Sequence, residues 1–180
     1  MKGFIEIFKI EGGVWHKLGS CSNNIMNSGY DAMARAFAGD SNYVVNGMYL
    51  EYVNGTPTEP TIPLDRTIDH YTNLADPYGY VRIRTTSEPI FSSSDHTTYT
   101  SNVATFTGIT DGISDGGAPI IDGTSKFFSI GLAAIPGTGS GCPDTLVSAA
   151  PIKVGGTFSP QLKLANTQLG FRWSLQLGDY

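Results

Sequence analysis

The sequence predicts a mainly β fold: an antiparallel β-sandwich, jelly-roll-like in topology, with one short α-helix. Three observations predict it. Charged residues make up only 15% of the chain, against roughly 25% in an average globular domain. Turn formers are abundant, with 22 Gly and 10 Pro, and they punctuate short runs rich in β-branched and aromatic residues. Helical periodicity occurs in a single stretch, Asn27 to Phe37. With no repeat of fixed period and no linker, residues 1–180 read as one domain, long enough to bury a core.

Taken in order, "GFIEIFKI" is a first strand ending at Gly12-Gly13, and "VWHKLGS" is its hairpin partner, with Trp15 and Leu18 as core or interface residues. The helix follows. Asn27 or Ser28 is placed to cap it, Asp31 to meet the positive end of its dipole, and Gly39 to end it in a left-handed turn. Met26, Tyr30, Met33, Ala34 and Phe37 recur at helical spacing as an apolar face. A helix this short is marginal alone, so it is expected to close one end or flank of the sandwich.

"YVVNGMYLEYVNG" then switches to period two, with Met48, Leu50 and Tyr52 on one side and Tyr49, Glu51 and Val53 on the other. The proline-rich residues 55–63 cannot be central strand, and "LDRTIDHYTNLADPYG" reads as an irregular connection, functional or docked on something. "YVRIRTT", "EPIFSS", "TTYTSNVATFTGIT", "SKFFSIGLAAI" and "DTLVSAA" are further strands, with turn-rich loops "DGISDGGAPIIDG" and "PGTGSGCPD" among them. In "GFRWSLQLGDY", Phe171, Trp173, Leu175 and Leu177 alternate with polar residues as a long, well-packed last strand.

Composition excludes several partners. The net charge is −5 and the 11 Lys and Arg are scattered, which argues against duplex nucleic acid. No apolar run approaches the roughly 20 residues of a membrane span. Glu6 and Glu11 interrupt the N-terminal apolar stretch, which reads as a strand and not as a signal peptide. Cys21 and Cys142 have no metal spacing and read as reduced thiols. Asn54-Gly55-Thr56 fits a glycosylation pattern but reads as a turn.

Chemistry is hard to find. The glycine loop at 136–144 lacks the Lys-Ser/Thr of a phosphate loop, and Pro143 blocks a following helix. Asp111, Asp115 and Asp122 are oxygen ligands of the kind calcium takes, but they lack EF-hand spacing and read as turn residues. His16, His70 and His96 are isolated, and Asp95-His96 has no nucleophile elbow to serve. No carboxylate pair suggests itself for glycoside hydrolysis. Tyr49, Tyr52, Tyr80, Tyr99 and Trp173 can line a sugar groove, although cross-strand packing explains them better. The expectation is no enzyme, no cofactor and no metal.

The stretches "NNIMNSGYDAMARAFAGD", "VNGMYLEYVNG" and "YGYVRI", from Asn23 to Arg84, resemble virion structural proteins of tailed bacteriophages. There an Asn-rich lead-in precedes a short helix ending in "AGD" and a strand reading "YLEY-N". The rest of the chain matches in style only. The resemblance implies a capsid cement or decoration protein, a dimer or trimer on the outer surface of the major capsid protein lattice, made in the host cytoplasm. It carries no catalytic residues to transfer. A tail- or fibre-associated receptor-binding module is the alternative. The loops 55–64 and 111–123 are the expected contact surfaces, with Ile113, Ile120 and Ile121 as an apolar patch that either meets a partner or tucks into its own core.

Overall fold

The computed structural model describes residues 2–85, 90–91, 103–110 and 114–176. From the N-terminus the elements are β1 (Lys2–Glu11), β2 (Val14–Ser22), β3 (Asn24–Ile25), α1 (Asn27–Phe37), a 3-10 turn (Ser41–Tyr43) and β4 (Val45–Asn54). Then come α2 (Asp69–Thr72), β5 (Tyr78–Arg84), β6 (Ile90–Phe91), β7 (Val103–Ile109), β8 (Gly116–Gly117) and β9 (Ser125–Ala134). The chain ends with β10 (Thr145–Pro151), β11 (Lys153–Val154), β12 (Thr157–Phe158), β13 (Gln161–Leu162) and β14 (Gln168–Gln176).

One sheet runs β2-β1-β14-β7-β6; the other runs β3-β10-β9-β4-β5-β8, with β13 also on β9; β11 and β12 pair separately. The pairings are antiparallel. The expected antiparallel β-sandwich is therefore present. The β1–β2, β4–β5 and β9–β10 neighbours each stay within one sheet.

Period two decides what fills the space between the sheets. Ile5, Ile7, Phe171, Trp173 and Leu175 from the first sheet meet Met48, Leu50, Tyr52, Val81, Ile83 and Phe127 from the second. The β4, β5 and β14 faces are those expected from the alternation. Leu177 lies outside the described residues.

Helix α1 has the expected bounds and the expected Gly39 end, and Met26 and Met33 are buried as expected, but its N-cap and the rest of its buried face differ. Met26 is the N-cap and makes no side-chain cap bond. The Ser28 hydroxyl instead donates to the Leu146 carbonyl at 2.7 Å. Asp31 lies beyond the first turn and pairs with Arg35 at 3.0 Å. Gly39 does end the helix, at φ +91°. Its N–H reaches the Ala36 carbonyl and that of Asp40 reaches Arg35, a double bond pattern that satisfies the last carbonyls.

The buried face is Gly29, Ala32 and Met33, while Tyr30, Ala34 and Phe37 face solvent. The reason is proximity. A Cβ on Gly29 would stand 2.1 Å from the Val147 carbonyl oxygen, so the helix lies on the backbone of β10 and only its small-residue side fits. The Met26 N–H also donates to Val147 O at 3.0 Å. Strand β3 pairs with β10 only at Ser148 and Ala149, and α1 covers the edge beyond it, as an exposed sheet edge requires.

Both faces of the second sheet are covered. Residues 55–77 fold back across its outer side and bury Ile62, Ile68 and Tyr71 against Tyr49, Ala133 and Ala149. The connection expected to be functional or docked is thus docked on its own sheet, and Ile62 of the supposed 55–64 contact loop is part of that packing.

Candidate functional site

The outer face of the second sheet carries the most polar chemistry of the described residues. On β4, Tyr49 and Glu51 alternate away from the main core, and their partners across β5 are Arg82 and Tyr80. On β9 the same rows continue as Gly131 and Ser129. Glu51 is only 3% exposed. Such burial of a carboxylate requires a partner, and the covering strap supplies two. His70 Nε2 lies 3.0 Å from Glu51 Oε2 and Arg66 Nη1 lies 3.8 Å from it. The other Arg66 nitrogen, Nη2, donates to the Thr61 carbonyl at 2.8 Å.

An aromatic row connects this ion cluster to the surface. His70 meets Tyr71 edge-on at 5.2 Å, Tyr71 leans on Tyr49 at 5.3 Å, and Tyr49 stacks on Tyr80 at 5.6 Å. Gly131 makes room for Tyr71, whose hydroxyl stands 2.7 Å from where a Cβ would be. Burial, helped by the nearby Glu51 charge, pushes the Tyr71 phenol well above its ordinary range.

Where the strap stops short, a cleft of about 370 Å³ opens over Tyr49, Tyr80 and Arg82. Its walls are Asp69 and Thr72 from the strap, Asp115, and Asp144. Arg82 is fixed at the floor: its Nη1 donates to Asp144 Oδ2 at 3.2 Å, and its backbone N–H donates to Asp115 Oδ2 at 2.7 Å. The Tyr49 hydroxyl also donates to Asp144. Burial first, and then that bond, raise the Tyr49 phenol far above its usual value, so it stays a neutral donor. Chemically, the cleft offers donors and acceptors locked in place by one another. Among the described residues, no group of three or more His, Cys, Asp or Glu is arranged to hold a metal ion.

A second feature is the outer side of α1. Tyr30, Ala34 and Phe37 stand at i, i+4 and i+7, one stripe of the helix, with Tyr30 52% and Phe37 77% exposed. The Asp31–Arg35 pair flanks the stripe, and the Arg35 guanidinium lies 4.8 Å over the Tyr43 ring.

The residues singled out from sequence scatter. Ile113 lies outside the described residues. Ile120 is half-buried against the inter-sheet core, while Ile121 is 47% exposed, so Ile120 and Ile121 do not share a surface patch. Asp115 goes to Arg82 and Asp122 to Lys163 at 3.0 Å, so these two do not converge on one ion; Asp111 is outside the described residues. Of the candidate sugar-groove aromatics, Tyr49 and Tyr80 come together at the cleft. Tyr52 and Trp173 are in the core, and Tyr99 and His96 are outside the described residues. His16 is exposed on β2.

Glu51, Arg66 and Asp144 were not foreseen. The signal for Glu51 was present: it shares its strand face with Tyr49 and Val53, and a carboxylate on an apolar face implies a cover with a counter-charge. No family model, no curated protein and no solved structure matches the chain.

Proposed function

We propose that this chain is a structural protein of a tailed-phage particle, a cement protein that binds the outer surface of the major capsid protein lattice as a dimer or trimer. The observation that carries the reading is the exposed stripe of Tyr30, Ala34 and Phe37. It lies within the segment Asn23 to Arg84 that bears the resemblance, and its large apolar side chains are turned away from the core by the Gly29 contact. Aromatic side chains displayed this way are the usual anchors of a protein interface. Many copies on a lattice then stabilise it by binding the mature shell in preference to its precursor. The low charge supports the reading, since few ions need be desolvated at each contact.

The test is abundance. Purified particles are analysed by quantitative mass spectrometry, and a cement protein approaches the copy number of the shell subunit. A few copies per particle supports the tail- or fibre-associated module instead, and absence from particles refutes both. Phe37→Ser with Tyr30→Ser is expected to leave the melting temperature of the isolated protein unchanged and to abolish its retention on particles.

A further inference from the structure

The cleft over Tyr49, Tyr80 and Arg82 is independent of where on a particle the chain sits, and we infer that it is a binding site for a neutral, polyhydroxylated ligand, a carbohydrate. Its volume of about 370 Å³ falls within the roughly 300–1,000 Å³ of small-ligand sites. Charge narrows the class of ligand. Asp69, Asp115 and Asp144 face a single guanidinium, that of Arg82, so a phosphate or carboxylate ligand meets net repulsion. A divalent cation lacks a converging ligand set among the described residues. The same net negative lining favours an organic cation over an anion, so competition with spermidine decides between a cation and a neutral ligand.

The aromatic floor narrows the class further. Tyr80 stacks on Tyr49 with one ring face, and Gly116 packs on the ring so closely that a Cβ there would stand 2.5 Å from it. Both neighbours leave little of the Tyr80 ring for a flat apolar ligand to cover. What the cleft presents is polar groups of both kinds: carboxylates that accept, the Arg82 guanidinium that donates, and the Thr72 hydroxyl that does either. A sugar hydroxyl matches both kinds, because each donates one hydrogen bond and accepts others. The two ion pairs hold the polar atoms in place before the ligand arrives, which lowers the cost of ordering them.

Saturation-transfer NMR on the full chain tests this, with D-glucose, D-galactose, L-rhamnose and N-acetyl-D-glucosamine as probes, and with spermidine and inorganic phosphate as charged competitors. At least one sugar is expected to give a saturable signal in the millimolar range. Arg82→Ala should weaken it about tenfold or more, as for loss of a charged hydrogen-bond partner, while Lys17→Ala on the other sheet leaves it unchanged. If Arg82→Ala does not fold, Asp69→Asn, an exposed change, is the deciding variant and is expected to weaken the same signal. The inference is overturned by absence of any sugar signal, by a signal that the deciding variant leaves unchanged, or by displacement of the sugar at lower concentration by either charged competitor.

Discussion

Replacing Gly29 with alanine sets two opposite effects against each other, and the sign of the result decides between them. Gly29 sits inside α1 with no left-handed backbone requirement. By intrinsic preference alone, alanine stabilises a helix by about 1 kcal/mol and also lowers the entropy of the unfolded chain. The packing predicts the reverse. The new Cβ would stand 2.1 Å from Val147 O, 2.8 Å from its carbonyl carbon and 3.0 Å from its Cα, where ordinary contact begins at 3.4 Å. These are backbone atoms of a central part of β10, so they cannot swing aside, and the helix must retreat by about 1 Å.

That retreat loosens the Met26–Val147 and Ser28–Leu146 hydrogen bonds, at about 0.5–1.5 kcal/mol each. It also opens the packing of Ala32 and Met33, with an overpacking cost of about 1–3 kcal/mol. After subtracting the helix gain, a net loss of about 1–5 kcal/mol is expected. For a chain of this size that is a fall in Tm of roughly 2–20 °C. Urea unfolding is the assay, with a lower midpoint at unchanged slope as the expected result. Ala34→Gly on the exposed side is the control and costs only its propensity, about 1 kcal/mol. A Gly29→Ala protein as stable as the parent, or more so, would refute the claim that α1 rests directly on the β10 backbone.

Three further outcomes follow from the same structure. Arg66→Met leaves Glu51 buried with only His70 beside it and is expected to cost about 1–3 kcal/mol in urea unfolding; Arg66→Met with Glu51→Leu should recover much of that loss, and a fully stable single variant would show the pair to be idle. The phenols of Tyr49, Tyr52 and Tyr71 are raised in the fold, by burial above all. The folded state therefore holds protons that the unfolded chain gives up from about pH 10, so stability is full below that pH and declines above it; phenolate absorbance and far-UV dichroism followed together should show part of the tyrosine signal appearing only on unfolding. Cys142 is partly exposed, whereas the Cys21 thiol is buried, is raised chiefly by that burial, and lies 3.5 Å from the Pro151 carbonyl; a thiol reagent should label Cys142 in the native protein and Cys21 only after denaturation.

Much of the fold is legible in the sequence because it rests on local rules. Strand faces such as Met48-Leu50-Tyr52 and Phe171-Trp173-Leu175 follow from alternation, and they do fill the inter-sheet core. Gly39 marks a helix end because only a residue without a Cβ takes its φ cheaply. The helix face followed expectation at Met26 and Met33 and failed elsewhere for an instructive reason. Apolar periodicity also pointed to Tyr30, Ala34 and Phe37, yet the close approach of α1 to β10 puts Gly29 and Ala32 beside Met33 on the buried side. Hydrophobicity proposes a buried side; available space selects it.

The candidate cleft was less legible still. Tyr49 and Tyr80 were among the aromatics considered, but Arg82, Asp115 and Asp144 come from three separate stretches, and their meeting has no footprint in spacing. The sequence by itself determined the class of fold, the extent of the helix and the inward side of β4, β5 and β14, since these depend on neighbours within a few residues. Only the tertiary structure decided that residues 55–77 cover the second sheet, that Glu51 is buried against Arg66, and that a polar cleft remains beside them. Those outcomes depend on which faces meet at long range, and such contacts form between residues whose separation along the chain leaves no periodic trace.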